Sequence, residues 1–267
     1  MHGVGRLLRM GPGQARFNMA LDEALARLAP FHHPYPTLRL YRFDPPAVSI
    51  GYFQRWDVLN LKACFRIGLD VVRRPTGGKA VLHDRELNYA IIFPDTGLWS
   101  KASVLESYQR IAMGLVLGLQ ALGVEASLAP RSAPGSASSS PWCFLSFAPY
   151  ELRVGPKKLT GSAQRRFKGS LLQHGTLLLE FDPKRFATIV PGDGLGDRSL
   201  GNRVTSLREI LGRLPPVSEV ETAIAQGMAQ ALGIRFDGGV LQEEELRLTQ
   251  TLVEGKYASQ GWSIEAG

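Results

Sequence analysis

Cysteine is scarce in this 267-residue sequence, which contains only Cys64 and Cys143. Two cysteines this far apart cannot form a disulfide framework, and neither has a second cysteine nearby at the spacing of a zinc site. The sequence therefore predicts no metal site and no need for an oxidising compartment. We expect a protein of the reducing cytoplasm with two free thiols.

Long apolar runs are also lacking. The longest candidate, Ile111–Val124, is interrupted by Gln120 and by three glycines, and it falls short of the ~20 residues that span a bilayer. Arg6 and Arg9 precede no apolar segment of the kind found in signal peptides. With 44% hydrophobic and 21% charged residues, the composition is that of a globular protein. We therefore predict no membrane association.

Acidic residues are fewer than basic ones, 24 against 31, which gives a net charge of +7. The basic residues form short clusters, at Arg73-Arg74, Lys157-Lys158 and Arg165-Arg166 with Lys168. Such an excess favours an acidic partner, although short clusters are equally typical of a solvated surface. Aromatic residues are not interleaved with the basic ones as in an RNA-recognition motif, so no nucleic-acid partner is predicted.

Apolar spacing and capping residues predict both helices and strands. Capping boxes at Ser103-Val-Leu-Glu106 and Ser218-Glu-Val-Glu221 open two of the helices. The predicted helices are Gln14–Leu28, one near Asn60–Gly68, one from Ser103 to Gly123, and one from Ser218 to near Gly233. The predicted strands are Thr37–Phe43, Ala47–Phe53, Asp70–Arg74, Leu87–Phe93, Tyr150–Val154 and Leu171–Phe181.

The arrangement of these elements predicts an α/β (α+β) fold. Thr37–Phe43 and Ala47–Phe53 are joined through Asp44-Pro45-Pro46, a turn signal that predicts a strand pair. Because strands come in such pairs as well as alternating with helices, we expect a central mixed, mainly antiparallel sheet flanked by helices. The segment Pro130–Pro141 is rich in Ser, Ala and Pro, and we expect a mobile loop at about 130–141.

A glycine-rich segment follows the strand predicted at Asp70–Arg74. It reads Arg-Arg-Pro-Thr-Gly-Gly-Lys-Ala-Val-Leu-His-Asp from Arg73 to Asp84. A glycine pair lets the backbone approach a ligand and point N–H groups at it. The segment is not a P-loop, because Ala80 stands where the metal-binding hydroxyl would be. The residues alone also fit a tight hairpin turn with surface arginines and a structural His83.

Cys143 lies between the predicted loop and a predicted strand. Such a thiol is accessible enough to act as a nucleophile if a cation or base stabilises its thiolate. Lys158 follows the turn signal Gly155-Pro156, and a hairpin there would return it toward Cys143. A solvated lysine fits the same pattern. Cys64 lies inside a predicted helix, where a small buried hydrophobic residue is expected.

The order of these segments resembles the biotin/lipoate protein ligase superfamily. Within it, the chain is most similar to the cysteine-dependent octanoyltransferases that act on an acyl carrier protein. The resemblance extends from about Gly13-Gln14 to the helix ending near Gly233, and it departs from the usual pattern at Lys79, where an arginine is more common. It implies the catalytic-domain fold of that superfamily, as a single catalytic domain over residues 1–267 with a core at about 30–240. The matching segments are Arg73–Asp84, Cys143-Phe144, Lys158 with Gly161-Ser162-Ala163-Gln164, and Gln173-His174-Gly175.

The resemblance also implies roles for individual residues. It makes Cys143 the nucleophile that forms an acyl thioester and Lys158 the group that lowers the pKa of this thiol. Backbone N–H groups near Gly161-Ser162 or Gly77-Gly78 are alternative candidates for stabilising the tetrahedral oxyanion. The implied substrate-binding residues are Arg73, Arg74, Thr76, Gly77, Gly78, Ala80, His83, Gly161, Ser162, Ala163, Gln164, His174 and Gly175.

The implied reaction moves an octanoyl group from acyl carrier protein to a lysine of a lipoyl domain, in lipoate biosynthesis. Acceptors of this kind are the glycine cleavage H protein and dehydrogenase E2 subunits. A thioester donor is already activated, so no cofactor is expected. Two related activities stay open: an ATP-dependent lipoate-protein ligase, for which Cys143 would be incidental, and an octanoyl amidotransferase between lipoyl-bearing proteins. Many such ligases carry a C-terminal domain, for which the ~30 residues after Gly233 are too few.

Overall fold

Strands and helices are distributed along the whole chain of the computed structural model, which describes residues 3–32, 34–95, 103–130, 140–145, 150–190 and 200–264. The strands are β1 (Val4–Gly13), β2 (Thr37–Phe43), β3 (Ala47–Ile50), β4 (Asp70–Arg73), β5 (Val81–His83), β6 (Glu86–Pro94), β7 (Ser127–Leu128), β8 (Leu152–Val154), β9 (Lys157–Lys158), β10 (Thr160–Phe167), β11 (Ser170–Leu178), β12 (Arg235–Gly238) and β13 (Ser263–Ile264). The α-helices within these ranges are α1 (Ala15–His32), α2 (Leu61–Arg66), α3 (Val104–Ala121), α4 (Pro183–Ile189), α5 (Leu207–Leu211), α6 (Val217–Leu232) and α7 (Glu243–Leu252).

A six-stranded sheet with the order β10-β11-β6-β2-β1-β12 forms the centre of the molecule. The four strands from β10 to β2 pair antiparallel, whereas β1 pairs parallel with both β2 and β12. The prediction of a mixed, mainly antiparallel sheet is therefore confirmed. A second sheet has the order β13-β4-β3-β5, and a small third one has the order β7-β8-β9.

Helices cover both faces of the central sheet. Successive side chains of a strand point to opposite faces, and in β6 Tyr89 and Ile91 join the cluster with α3 and α6, whereas Ala90 and Ile92 pack with α1. This strand is buried along its whole length, which explains its nearly continuous apolar sequence. The α1 face is also where the second sheet packs, and the cavity described below lies there.

Helices α3 and α6 pack closely because three glycines lie at their contact. A Cβ atom on Gly227 would lie 2.3 Å from both the carbonyl oxygen of Gly114 and the amide nitrogen of Gly118. Gly114 and Gly118, two of the three glycines that interrupt the apolar run Ile111–Val124, thus let a second helix approach α3.

Most predicted elements are present, with shifted boundaries. Ser103 and Glu106 form the expected capping box of α3, and Gly155 turns β8 into β9 with a φ of 57°, as predicted. Helix α1 extends to His32, beyond the predicted end. The loop predicted at 130–141 falls mostly on residues 131–139, which lie outside the described residues.

Two predictions are wrong. The strands at Thr37–Phe43 and Ala47–Ile50 do not pair with each other, because the first joins the central sheet and the second pairs with β4 and β5. The Asp44-Pro45-Pro46 turn carries the chain from one sheet to the other. Helix α6 begins at Val217 after Pro216, without a side-chain cap, so Ser218 is inside the helix and does not open it.

None of the helices in the described ranges is both long and apolar enough to cross a bilayer.

Candidate active site

A cavity of about 280 Å³ lies between the α1 face of the central sheet and the second sheet. Its walls come from α1, from both sheets and from the glycine-rich segment. Cys143 and Glu151 also line it. The lining residues are Met19, Tyr41, Ser49, Arg74, Gly78, Lys79, Val81, His83, Asn88, Cys143, Glu151, Gly161, Ser162, Ala163, His174, Gly175 and Thr176.

The glycine-rich segment positions Cys143 through the backbone. The Ala80 amide donates to the Pro141 carbonyl at 2.9 Å, and the Cys143 amide donates to the Ala80 carbonyl, also at 2.9 Å. Cys143 then starts a short 3-10 turn, Cys143–Leu145, which leaves its side chain half-buried at the cavity wall. Ala80 is itself completely buried, so its contribution is to hold the cysteine rather than to line the cavity.

The β8–β9 hairpin brings a buried lysine to Cys143. The Lys158 side chain is 1% exposed, and its Nζ donates to the Cys143 carbonyl at 2.7 Å and lies 3.5 Å from Cys143 Sγ. The neighbouring Lys157 points the other way, to an ion pair with Glu209 near the surface. The two lysines of this basic cluster are therefore in different environments, as alternation along a strand requires.

Glu151 completes the group around the thiol. Its Oε2 accepts from Lys158 Nζ at 2.5 Å, and its Oε1 accepts from Cys143 Sγ at 3.8 Å. The chain reaches Glu151 through Tyr150, whose φ of 63° is left-handed, a conformation that non-glycine residues adopt at an energetic cost. This turn directs the carboxylate at the cysteine and the lysine.

Burial sets the protonation state of the thiol. It raises the pKa of Cys143 above its ordinary value, although the positive charges of Lys158 and Arg74 lower it, and the negative charge of Glu151 raises it further. For Lys158, burial by itself lowers the pKa, but Cys143 and Glu151 raise it above its ordinary value. The resting site therefore holds a thiol beside a buried ammonium–carboxylate pair.

Two more cations face Cys143 from the glycine-rich segment. Arg74 is 5% exposed and is held by the carbonyls of Gly77 and Lys79, each at 2.7 Å. Burial lowers the pKa of Arg74 to about 10, so it keeps its charge at neutral pH. Lys79 is half-buried and lines the cavity, and burial lowers its pKa as well. A negative charge that develops near Cys143 would therefore lie close to the positive charges of Arg74 and Lys79.

Gly161 lets strand β10 pass directly beside the thiol. A Cβ atom at this position would lie 2.7 Å from Cys143 Sγ, which is far inside van der Waals contact. A side chain at residue 161 would therefore overlap with the sulfur atom.

A second network fixes the glycine-rich segment to the central sheet. His174 Nε2 lies 2.6 Å from Thr76 Oγ1, and its Nδ1 lies 2.9 Å from Asp22 Oδ2. Asp22 also pairs with the buried Arg39 and accepts from the Tyr41 hydroxyl. Burial by itself raises the pKa of Asp22, but Arg39 and His174 bring it below its ordinary value. His174 thus lines the cavity and also connects Thr76 of the glycine-rich segment with Asp22 of α1.

His83 occupies the cavity wall as a neutral residue. Its Nε2 lies 2.8 Å from Ser49 Oγ, and its ring stacks on Phe43 with centroids 4.1 Å apart. Burial and the charge of Arg74 lower the pKa of His83 to about 3. At neutral pH this residue therefore offers hydrogen bonding without charge.

The structure brings most of the predicted site residues to the cavity, but not all. Arg73 lies outside it, where its guanidinium donates to the carbonyls of Tyr52 and Gln54. Gln164 faces the α3 side, where it donates to Ser107 Oγ and Gln173 Oε1. Gly77 contributes the carbonyl that accepts from Arg74. These three residues are adjacent in sequence to residues that line the cavity, but they do not line it themselves.

Sequence reasoning missed several residues that line or support the site. Glu151 is the first of them. The one signal for it in the sequence is its acidic side chain near the start of a strand that its apolar neighbours predict. Asp22 is another: it lies on the buried face of an amphipathic helix, where an acidic residue needs a partner. Ser49, in a four-residue buried strand, had no recognisable signal.

Comparison with known proteins places the chain in a family. A family model described as the lipoyl protein ligase A/B catalytic domain matches residues 14–229. An octanoyltransferase LipM from Kyrpidia tusciae is 42% identical over 268 residues, which cover 97% of each chain. The LipM of Bacillus subtilis is 35% identical, over 97% of this chain and 98% of that one.

Solved structures with the same fold extend the comparison. A lipoate-protein ligase A bound with ATP has a TM-score of 0.80 at 26% identity, with 98% of both chains covered. The bipartite lipoate protein ligase of Thermoplasma acidophilum, studied with its E2 lipoyl domain, also has a TM-score of 0.80 at 26% identity, over 100% of this chain and 99% of that one. On the match of the family model and of these full-length relatives, the chain belongs to the lipoyl protein ligase A/B catalytic-domain family.

Proposed function

We propose that this protein is an octanoyltransferase of lipoate biosynthesis, which moves an octanoyl group from acyl carrier protein, through a thioester on Cys143, to a lysine of a lipoyl domain. The observation that carries the proposal is the Cys143 thiol at the wall of an acyl-sized cavity, with Lys158 Nζ 3.5 Å from its sulfur. A ligase that activates a free acid with ATP has no need of this thiol.

The chemistry divides into two acyl transfers. The Cys143 sulfur attacks the carbonyl carbon of the octanoyl thioester, so a new C–S bond forms and the bond to the carrier sulfur breaks. The carrier leaves as a thiol, with the proton that Cys143 gives up. A neutral lysine amine then attacks the enzyme thioester, a C–N bond forms, and Cys143 regains a proton as the C–S bond breaks.

The cavity matches the size and character of a medium-length acyl chain. Its lining crosses the central sheet from Gly161 in β10, beside the thiol, to Tyr41 in β2. Three strand spacings amount to about 14 Å, which exceeds the length of an extended eight-carbon chain. Gly161, Ala163 and Gly175 keep this path narrow but open. These are residues for which the resemblance implies acyl binding, and we propose that they serve as walls of the acyl channel.

Arg74, Gly78, His83 and His174 are also proposed to contact the acyl group or its carbonyl, since all four line the same cavity. Arg73, Thr76, Gly77, Ala80 and Gln164 are proposed to act indirectly, by holding the segments that form the walls. Both cysteines are free thiols, and we place the reaction in the reducing cytoplasm.

The test is the intact mass of the protein after mixing with octanoyl carrier protein in the absence of ATP. We expect the mass to rise by one octanoyl group, and hydroxylamine to remove it. Cys143→Ala should abolish the adduct, whereas Cys64→Ala should retain it, because Cys64 is fully buried in α2. An unchanged mass, or an adduct that survives Cys143→Ala, contradicts the proposal.

The same reagents separate the two related activities. Transfer that requires ATP and free octanoate, with release of pyrophosphate, would identify a ligase. Faster transfer from an octanoylated lipoyl domain than from the carrier protein would identify an amidotransferase.

A further inference from the structure

We propose that Glu151 is a third catalytic residue of this site, the carboxylate that accepts and returns the proton in both acyl transfers, while Lys158 remains an ammonium throughout. The inference rests on the proposed function and deepens it. It assigns the proton transfers to a residue that neither the sequence analysis nor the comparisons single out.

The geometry places Glu151 between the two groups that the reaction must serve. One carboxylate oxygen accepts from Lys158 Nζ at 2.5 Å, and the other accepts from Cys143 Sγ at 3.8 Å. The side chain is almost completely buried, with 2% exposed. A buried carboxylate with one oxygen anchored and the other directed at the nucleophile is positioned as a general base.

The charges around the thiol show why a base is needed. The carboxylate of Glu151 offsets the charge of Lys158, so the lysine by itself does not generate a thiolate. Three more ionisable side chains lie near the Cys143 thiol: Arg74 and Lys79 of the glycine-rich segment, and Tyr108 of α3. With all of these present, the pKa of Cys143 is still raised, chiefly by burial. The thiol must therefore lose its proton as it attacks.

The proton balance closes with Glu151 as the carrier. In the first transfer, the thiol proton moves to Glu151 as the S–C bond forms, and the resulting carboxylic acid gives it to the departing carrier thiolate. In the second transfer, the attacking amine gives a proton to Glu151 as the C–N bond forms. The carboxylic acid then returns it to the Cys143 thiolate, and the site regains its resting state.

Glu151→Gln tests the proposal because it removes the charge and keeps the shape and the hydrogen bond to Lys158. Without the carboxylate, Lys158 is no longer neutralised. We expect the pH midpoint of Cys143 alkylation by iodoacetamide to fall. Octanoyl transfer to a lipoyl domain should nevertheless slow by roughly 10²–10⁴-fold, the usual contribution of a general base. The acyl-enzyme should accumulate, because a preformed thiolate acylates but the amine lacks a base.

Two lysine variants provide the matched controls. Lys158→Met should move the alkylation midpoint in the opposite direction, upward, because it removes the cation beside the sulfur. Lys157→Met should leave both the midpoint and the transfer rate unchanged, since that side chain pairs with Glu209 on the other face of the strand. Glu151→Asp keeps the charge but withdraws the carboxylate, so it should slow transfer with little change of the midpoint.

The outcomes are separable from those of the proposed function. Alkylation needs no acyl donor, so a lowered midpoint in Glu151→Gln is measurable even if the parent is not acylated by octanoyl carrier protein. An unchanged or raised midpoint would overturn the assignment, and so would acyl-enzyme that transfers its octanoyl group at the parent rate. Glu151→Asp decides the matter if Glu151→Gln does not fold, because parent-like transfer in that variant also overturns it.

Discussion

Buried ionisable side chains near the cavity are of two kinds, those that keep their charge by pairing and those that lose it. Lys158 with Glu151 and Arg39 with Asp22 form buried ion pairs. Glu86 has no cation within salt-bridge distance among the described residues apart from the weakly basic His83, 3.8 Å away. Burial accordingly raises the pKa of Glu86 to about 8. Glu86, which is bonded to the cavity residue Asn88, is thus a carboxylic acid that is largely protonated at neutral pH.

Neutral Glu86 makes stability depend on pH. Between its ordinary pKa of 4.5 and about 8, the folded protein holds one more proton than the unfolded chain, so stability falls as pH rises, by about 1.4 kcal/mol per pH unit. His83 acts in the opposite sense between about 3 and 6.5, where the unfolded chain holds the extra proton. The two effects offset each other between pH 4.5 and 6.5, and the loss due to Glu86 is uncompensated from 6.5 to about 8.

Glu86→Gln should therefore remove the decline of unfolding free energy between pH 6.5 and 8, and should raise stability at pH 8 relative to the parent. The glutamine oxygen can still accept from Asn88 Nδ2, which lies 2.8 Å from the carboxylate in the parent. Urea unfolding at several pH values measures the effect. Glu243→Gln, an exposed position at the start of α7, is the control and should keep the parent's decline. A decline of equal slope in Glu86→Gln would contradict the neutral carboxyl.

Among the elements, the α3–α6 contact depends most directly on small residues. Gly227→Ala would place a methyl group 2.3 Å from backbone atoms of Gly114 and Gly118, and backbone cannot move aside as a flexible side chain can. We expect a loss of about 1–3 kcal/mol in unfolding free energy. Gly255→Ala is the control, because it lies in the helical segment Val253–Tyr257 with nothing within 4 Å of the added atom. Denaturant midpoints measure both, and equal stability of the two variants would show that the helices can separate freely.

Signals from neighbouring residues predicted helix starts and turns better than they predicted which strands pair. The capping box at Ser103 and the turn at Gly155 are decided by neighbouring residues, and both were predicted correctly. The pairing of Ala47–Ile50 is decided by β4 and β5, which follow it in the chain, so the Asp44-Pro45-Pro46 turn alone could not reveal it. Ser218 is a similar case. Its motif fits a capping box, but the helix begins one residue earlier, at Val217 after Pro216.

The site shows the same division between local and distant information. The approach of Lys158 to Cys143 follows from a short hairpin and could be predicted. The contribution of Glu151 could not, because it depends on the left-handed turn at Tyr150. The link between Thr76 and His174 joins residues 98 positions apart, and only the folded sheet brings them together.

At the scale of the whole molecule, a small part of the net charge of +7 lies at the end of the edge strand β10. Arg166 is exposed in β10, and Lys168 is exposed in the turn that follows this strand. Arg165 is instead part of the structure, because it donates to the Pro75 carbonyl at 2.8 Å and lies over the ring of Tyr52. Arg166 and Lys168 are therefore the exposed residues of this basic cluster, and we expect their charges to attract an acidic partner from a distance.

Reversing Arg166 and Lys168 to glutamate should slow association with an acidic carrier by about tenfold at low salt and raise KM more than it lowers kcat. Added salt should reduce the difference from the parent, because it screens exposed charges. Arg235→Glu with Arg247→Glu is the control with the same net charge, and it alters β12, at the opposite edge of the sheet, and α7. Equal salt dependence in the two double variants would show that the β10 cluster is only a solvated surface.

The raised pKa of Cys143 has a consequence for the lifetime of the enzyme between turnovers. Peroxide and disulfides react with thiolates rather than with thiols, and oxidation beyond the sulfenic acid is irreversible for most proteins. A cysteine that stays protonated until an acyl group arrives is protected during idle periods in a way that a permanently ionised cysteine is not. Burial beside a paired lysine therefore protects the proposed nucleophile from oxidation between turnovers.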